Sequence, residues 1–253
     1  MEVYLNKITG ISDAMISMLM SKKSWTQEKA EDIKNAVYYN VDLDGRYTGV
    51  SESLKDYDEA YISNMEKLIH YGVEEGHTTL LRFIDLSFTV IGLHRAAQDD
   101  FDSHAKRLDN RIIRASTRLS DFSDGEKSDW YKGKIMFPTE LENLILPDRI
   151  YVPNEGAWFV LTDYGYIRED LKDDRDVKRG LYPEAIPSNF IFKVQYPELC
   201  HIVQMRDKNS HAHPELQIMI EQIKDIVTRA QPWLGKNLNN LVMDPGPVKD
   251  KER

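Results

Sequence analysis

Between residues 59 and 90 the hydrophobic period of the chain changes from that of a helix to that of a strand. From Glu59 to Val73 the apolar residues form a helical stripe, which consists of Ile62, Met65, Leu68, Ile69 and Val73. From Ile84 to Val90 apolar and polar residues alternate, which predicts a half-buried strand that ends at Gly92. Because both elements must bury one side against the same core, this switch of period predicts an α+β fold.

The rest of the chain adds further helices and strands without an evident linker or internal repeat. A charged helical region is predicted from about His94 to Leu119, and a helix is predicted from Pro197 to about Arg206. Further strands are predicted at residues 150–152, 158–161 and 189–195, and another helix at residues 214–230. We therefore predict a single mixed domain over residues 1–243, with a central β-sheet flanked by helices, and a disordered tail over residues 244–253.

Charge and cysteine content restrict the class of protein. The 42 acidic and 33 basic side chains give a formal net charge of −9, which repels nucleic-acid polymers. The single cysteine excludes an intramolecular disulfide framework and suits a reducing compartment. Apolar stretches are too short to span a bilayer, and the first residues do not resemble a signal peptide. We expect a cytoplasmic protein that does not associate with membranes. Any anionic ligand would have to bind at a local cluster of basic residues.

The best candidate for that cluster is a run of arginines. Their intervals of four, three and four residues would place them on one face of a helix: Arg107, Arg111, Arg114 and Arg118. A solvated helix side explains the spacing by itself. Ser116 and Thr117 favour a phosphate site instead, because hydroxyls and guanidinium groups are good donors to phosphate oxygens.

A second polar cluster follows the predicted helix that ends at Arg206. His211 and His213 lie just before Pro214, and this spacing indicates a polar loop that lines a pocket rather than a metal site, so no metal is predicted. His77, between a helix and a strand, is typical of a capping residue. Cys200 lies among apolar residues of a helix, and we expect it to be buried and unreactive.

In this order, the segments resemble the flavin-dependent thymidylate synthases. MEKLIHYGVEEGHTTLLRFIDLSFTV is similar to the family's helix, its His-x-(Ser/Thr)-x-x-Glu-His segment and its following strand. His77 and Thr79 match that segment, whereas Arg82 and Phe83 replace the Glu-His pair. Near the C-terminus, GLYPEAIPSN and LCHIVQMRDKNSHAHPELQIMIEQI are similar to two further family segments, so the resemblance covers roughly residues 65–230.

The family's Arg-His-Arg signature is only partly present. Its Ser-x-Arg end is matched by residues 116–118, but at its start Ser103-His104-Ala105 keeps only the histidine. The family uses these arginines to hold its cofactor and nucleotide, and a charge-assisted hydrogen bond contributes roughly 1.5–3 kcal/mol. Lys106 and Arg107 are close enough in sequence to replace the missing pair.

The resemblance implies a homotetrameric enzyme that methylates dUMP to dTMP with FAD, methylenetetrahydrofolate and NADPH or NADH. It gives Arg206 a catalytic role at the pyrimidine. It assigns the substrate phosphate to Ser116, Thr117 and Arg118, with Arg114 beside them. It places five residues around the flavin, namely His77, Thr79, His104, His201 and His211.

The chemistry of the residues agrees with a flavin route. The other known route to thymidylate activates uracil C5 by adding a cysteine thiolate to C6, for which the apolar surroundings of Cys200 are unsuitable. A flavin route needs no protein nucleophile, since the protein supplies binding, orientation and electrostatics. Three alternatives stay open: an enzyme that modifies another pyrimidine nucleotide or delivers hydroxymethyl, a non-catalytic relative that binds a nucleotide, and a protein whose arginine face binds an acidic partner.

Overall fold

The computed structural model describes residues 1–21, 24–38, 59–103, 112–114, 127–141, 146–174, 177 and 179–241. The strands are β1 (Glu2–Thr9), β2 (Asp85–His94), β3 (Ile112–Arg114), β4 (Arg149–Val152), β5 (Ala157–Thr162), β6 (Gly165–Arg168) and β7 (Pro187–Gln195). The helices are α1 (Ile11–Ser21), α2 (Gln27–Tyr38), α3 (Glu59–Ile69), α4 (Thr78–Leu81), α5 (Arg95–Asp102), α6 (Tyr196–Arg206), α7 (Pro214–Ala230) and α8 (Pro232–Lys236). A π-helical turn, His70–Glu74, extends α3.

The strands form two sheets. A four-stranded sheet has the order β1-β2-β7-β3, and a three-stranded sheet has the order β4-β5-β6. The second sheet is antiparallel, and its register pairs Tyr151 with Trp158 and Val160 with Ile167. The α+β class predicted from the sequence is confirmed.

The chain divides into two compact units, which we describe separately. The larger unit comprises Val3–Thr89, Ser103–Ile112 and Ile191–Arg253. Its core contains fully buried side chains from α1, α3 and β2, among them Met15, Met65 and Phe88, and burying a side chain of this size stabilises the fold by about 1.5–3 kcal/mol. The C-terminal helix α8 is fixed in this unit, because the buried Tyr196 hydroxyl donates a 2.8 Å hydrogen bond to the carbonyl oxygen of Leu234.

The smaller unit comprises Met1–Glu2, Val90–Asp102 and Ile113–Phe190. It contains the three-stranded sheet and α5, which runs along the first half of β7. The backbone N–H of Arg95 donates to the carbonyl of Ile186 at 3.2 Å, and the rings of Phe101 and Phe190 lie 5.8 Å apart. These contacts join the start of α5 to the residue that precedes β7 and join Phe101, near the end of α5, to the strand itself.

Glycine is required where β1 meets α1. Gly10 has a φ of +82°, and a Cβ built there would lie 1.8 Å from the carbonyl oxygen of Phe83. A side chain would therefore be strained by the backbone conformation and excluded by the neighbouring chain. The close approach brings the start of α1 against the segment that precedes β2.

Strand β2 continues beyond its predicted end. Leu86, Phe88 and Val90 are buried at alternate positions, but the next buried apolar residue is Leu93, so the inward-facing set shifts by one residue across Gly92. Gly92 has a φ of +78°, and its N–H donates a 2.9 Å hydrogen bond to the side-chain oxygen of Asn189. Such a shift is characteristic of a β-bulge. Because the strand continues through Gly92 to His94, the prediction that Gly92 ends it is wrong.

Three of the predicted helical patterns are confirmed. The predicted stripe of residues 59–73 corresponds to α3 and its π-helical turn, and α6 and α7 lie at the predicted positions. The strands predicted at residues 150–152, 158–161 and 189–195 are confirmed as β4, β5 and β7. None of the helices in the described ranges is long and apolar enough to cross a membrane.

Two segments differ from the predictions. The first strand, β1, was not predicted, because its buried residues Val3 and Ile8 are five positions apart and give no alternation. The predicted helix over residues 94–119 is wrong in its second half, since α5 ends at Asp102 and residues 112–114 form β3. Whether the chain ends in a disordered tail stays a prediction, because residues 242–253 lie outside the described ranges.

Candidate functional site

Arg206 is the last residue of α6, in the larger unit. Pro197 lies in the first turn of this helix, where a missing N–H is tolerated, and the basic side chain at its end complements the helix dipole. Arg206 is half-buried, and its Nη2 donates a 3.0 Å hydrogen bond to the Ser103 hydroxyl. The position at the end of α6 and this hydrogen bond hold the guanidinium group of Arg206 at the surface of the unit.

The loop between α6 and α7 is held by its own hydrogen bonds. The Asp207 carboxylate accepts from the N–H of Asn209 at 2.9 Å, and the Ser210 hydroxyl donates to the Asp207 carbonyl at 2.7 Å. His213 caps α7, because its Nδ1 accepts from the N–H of Glu215 at 3.2 Å. The predicted polar corner therefore exists, and it leaves His211 exposed to solvent.

The turn that carries His77 and Thr79 packs against α6. Helix α4, which begins directly after His77, contacts α6 in the larger unit. His77 occupies the position before the helix, but its side chain makes no capping hydrogen bond and is 65% exposed, with Nε2 3.8 Å from Glu75. The structure thus brings the His77–Thr79 turn beside the helix that contains His201 and Arg206. His77 is therefore available to a ligand, in contrast to a capping histidine.

Cys200 lies on the buried side of α6. Its side chain is inaccessible to solvent, and burial raises the pKa of the thiol to about 12. Burial also raises the pKa of the neighbouring Tyr196 well above its ordinary value. The expectation of a buried, unreactive cysteine is confirmed.

Sequence reasoning missed Gln98, the strongest polar feature of the smaller unit. Its side chain on α5 is fully buried, and neither its Oε1 nor its Nε2 has a hydrogen-bond partner among the residues of the structure. The hydroxyl of Ser188 on β7 and the Nη1 of Arg95 are buried in the same unsatisfied state. Unpaired buried polar groups cost about 1–3 kcal/mol each, so they mark places where a water molecule or a ligand completes the hydrogen bonds.

The sequence contained one signal for Gln98. It lies between Ala97 and Phe101, two residues of α5 that are completely buried. A glutamine within the apolar face of an eight-residue helix is exceptional, because glutamine is mostly an exposed residue. The other arrangement in this unit, the packing of α5 along β7, could not be inferred from the helix alone.

Several predicted site residues lie outside the described ranges, and the structure does not place them: His104, Lys106, Arg107, Arg111, Ser116, Thr117 and Arg118. The backbone of Arg114 belongs to β3. A strand at residues 112–114 is incompatible with one helical face for all four arginines, so that part of the prediction is wrong. Among the residues that the structure does describe, no group of His, Cys, Asp or Glu side chains is arranged to hold a metal ion.

Comparison with known proteins decides the family. A family model described as Thy1, thymidylate synthase complementing protein, matches residues 23–233. The chain belongs to the Thy1 family. The resemblance to flavin-dependent thymidylate synthases found in the sequence is thereby confirmed. No curated protein matches the Thy1 chain significantly in sequence.

Solved structures share the fold of this Thy1 protein. Flavin-dependent thymidylate synthase ThyX from Helicobacter pylori, complexed with FAD and dUMP, has a TM-score of 0.57 at 14% identity, covering 96% of this chain and 100% of that chain. A second ThyX structure from Helicobacter pylori, with FAD and dUMP, has a TM-score of 0.56 at 14% identity, covering 94% and 99%. The UMP/dUMP methylase PolB from Streptomyces cacaoi, bound with 5-Br dUMP, has a TM-score of 0.54 at 13% identity, covering 95% of both chains.

Proposed function

We propose that this Thy1 protein is a flavin-dependent enzyme that methylates C5 of a pyrimidine deoxynucleotide, with dUMP as substrate and dTMP as product. Methylenetetrahydrofolate would supply the carbon, and NADPH or NADH would supply the electrons. The complete site would form in a homotetramer. Family membership supports the reaction class, and similar folds in ThyX bind FAD and dUMP.

The state of Cys200 is the observation that favours a flavin route. It is the only cysteine of the chain, its side chain is completely buried, and burial raises the pKa of its thiol to about 12, so the thiol is protonated at neutral pH. Attack of a thiolate on C6 of the pyrimidine therefore has no available nucleophile. A flavin mechanism places no such demand on the protein.

The described residues of the larger unit fit a flavin dinucleotide. The turn around α4 exposes His77 and Thr79, followed by the guanidinium of Arg82 and the ring of Phe83, which is 50% exposed. The flavin ring could stack on the aromatic side chain of Phe83, and the pyrophosphate of the dinucleotide could pair with the guanidinium of Arg82. FAD would supply hydride transfer when bound. We assign His201, His211 and, outside the described ranges, His104 to the same cofactor.

The nucleotide is assigned to two groups of residues. Arg206 would bind and polarise the pyrimidine oxygens, where charge develops during reaction at C5. Ser116, Thr117 and Arg118, together with Arg114, would bind the phosphate.

The purified protein is expected to bind FAD. Absorbance spectroscopy should show the flavin bands in the blue part of the visible spectrum, either directly after purification or after addition of FAD and removal of the excess. The nucleotide-binding, non-catalytic alternative predicts a colourless protein that still binds dUMP in calorimetry. A colourless protein that takes up no FAD would contradict the proposed function.

Cys200→Ala is expected to retain catalysis. Because the thiol is buried and protonated, its removal should change dTMP formation by less than about threefold, at a cost in stability of about 1 kcal/mol for the lost packing. Turnover of dUMP and thermal unfolding, measured on both proteins, test this. Loss of methylation in a variant that is folded and still binds FAD would show that the thiol takes part in the reaction.

UMP is a second candidate substrate. The observation that favours it is the similarity to PolB, which is described as a methylase of UMP and dUMP. Turnover of UMP and dUMP by the same preparation distinguishes the two. A ratio near one would extend the proposed function to ribonucleotides, and a strong preference for dUMP would exclude this candidate.

A further inference from the structure

A cavity lies in the helical part of the larger unit, between α1, α2 and α3. Its volume is about 510 Å³, which is within the range of about 300–1,000 Å³ that small-molecule sites occupy. None of the residues assigned to the nucleotide or to FAD lines it. The function of this cavity is therefore independent of the function proposed above.

Helix α3 has two different faces, and one of them forms the wall of this cavity. The first face packs into the core through Tyr61, Met65 and Leu68, which are almost completely buried. The second face continues into the π-helical turn, and its members are small or polar: Ala60, Ser63, Asn64, Lys67 and Tyr71. Their spacing is that of one helical stripe. The short side chains of Ala60, Ser63 and Asn64 leave space that larger apolar side chains would fill in a packed helix pair.

Three polar side chains of the wall, those of Ser63, Asn64 and Lys67, are available to a ligand. Ser63 and Asn64 are only half-buried, and their side chains form no hydrogen bond with any of the described residues. The exposed ammonium group of Lys67 has no carboxylate partner in the described ranges. An amide, a hydroxyl and an ammonium group within two turns of one helix can donate hydrogen bonds to the same ligand.

Charge and apolar surface define the class of that ligand. Among the described residues that line the cavity, Lys29 and Lys67 outnumber the carboxylate of Asp32, so this part of the lining is positive in a chain of net charge −9. Lys29 is held at the rim, since its Nζ donates a 3.1 Å hydrogen bond to the carbonyl of Ser24. Met18 and Leu19 supply an apolar floor. The cavity combines an anion-binding rim with a surface for an apolar body.

The geometry points to a binding site for a small organic anion, in which a carboxylate or phosphate group pairs with Lys67 and Lys29 and the apolar part covers Met18 and Leu19. Asn64 orients the anionic group by hydrogen bonding. Nucleic-acid polymers and neutral aromatic compounds do not meet these requirements, because the cavity is small and its rim is charged.

Calorimetry with phenyl phosphate, benzoate and neutral benzyl alcohol tests this site on the full-length protein. At least one of the two anions should bind, at least tenfold more tightly than benzyl alcohol, and the stronger of the two identifies the preferred anionic group. Lys67→Glu should weaken that binding at least tenfold, and Asn64→Ala should weaken it in the same direction. Lys236→Glu makes the same change of charge on an exposed lysine of α8 and should alter binding less than twofold.

Three results would overturn the proposal. The first is the absence of binding by either anion. The second is equal weakening by Lys67→Glu and Lys236→Glu, which would indicate only a general effect of charge. The third is competition between the bound probe and dUMP, which would place the probe at the nucleotide site. Thermal unfolding of each variant verifies that it is folded, and dUMP affinity should be the same in all of them.

Discussion

Arg206→Ala should lower the rate of dUMP methylation at least about 100-fold, the usual cost of removing one donor that stabilises charge in a transition state. The physical reason is that Arg206 would bind the pyrimidine oxygens where negative charge develops, and alanine offers no donor. Single-turnover kinetics of dTMP formation measure the effect. The fold should be unchanged, because the side chain is only half-buried at the end of α6.

Ser103→Ala is the matched control for this experiment. The Ser103 hydroxyl accepts the hydrogen bond from Nη2 of Arg206, so its loss should disturb the orientation of the guanidinium but leave the charge in place. A decrease of about tenfold or less is expected. Arg206→Lys separates charge from geometry, since an ammonium group cannot reproduce the planar arrangement of donors. Full activity of Arg206→Ala would contradict the assigned role.

The sequence predicted elements whose apolar pattern is continuous and local. Helix α7 has a regular buried stripe, which includes Leu216, Ile220 and Ile223. It begins with a proline, a residue that the first turn of a helix tolerates. Its predicted bounds of residues 214–230 are therefore the observed ones. Strand β7 likewise buries every second residue over most of its length.

Elements that depend on contacts distant in sequence were not predictable. The shift of register at Gly92 needs the Asn189 side chain, and the conformation of Gly10 needs the Phe83 carbonyl. Strand β1 buries too few residues to give a period, so only its pairing with β2 makes it a strand. In each case the information lies in a partner segment about 70 or more residues away.

The roles of the candidate site residues stay a prediction. The order of the segments and the family resemblance led to Arg206, His77 and the polar loop before α7, and the structure places these segments in the larger unit, where α4 contacts α6. The arginine face was inferred from spacing alone and included Arg114, which lies on a strand. Spacing cannot distinguish a continuous helix from a helix that ends and is followed by a strand. The buried amide of Gln98 was missed, because its burial depends on tertiary contacts that the pattern of one short helix does not reveal.

Gln98→Met is expected to stabilise the protein. Methionine has nearly the shape of glutamine but lacks its amide donor and acceptor, so it removes two unsatisfied polar atoms from a completely buried position. The free energy of unfolding should rise by about 1–2 kcal/mol, within the desolvation penalty of an unpaired buried group.

Gln217→Met supplies a control with the opposite expected sign. The Gln217 amide donates 3.0 Å hydrogen bonds to the carbonyl oxygens of Ser210 and Ala212, so its replacement removes satisfied interactions and should destabilise the protein by about 1–2 kcal/mol. Denaturant unfolding of both variants beside the unchanged protein measures the two effects. If Gln98→Met lowers stability, the amide is satisfied in the protein, and the prediction is wrong.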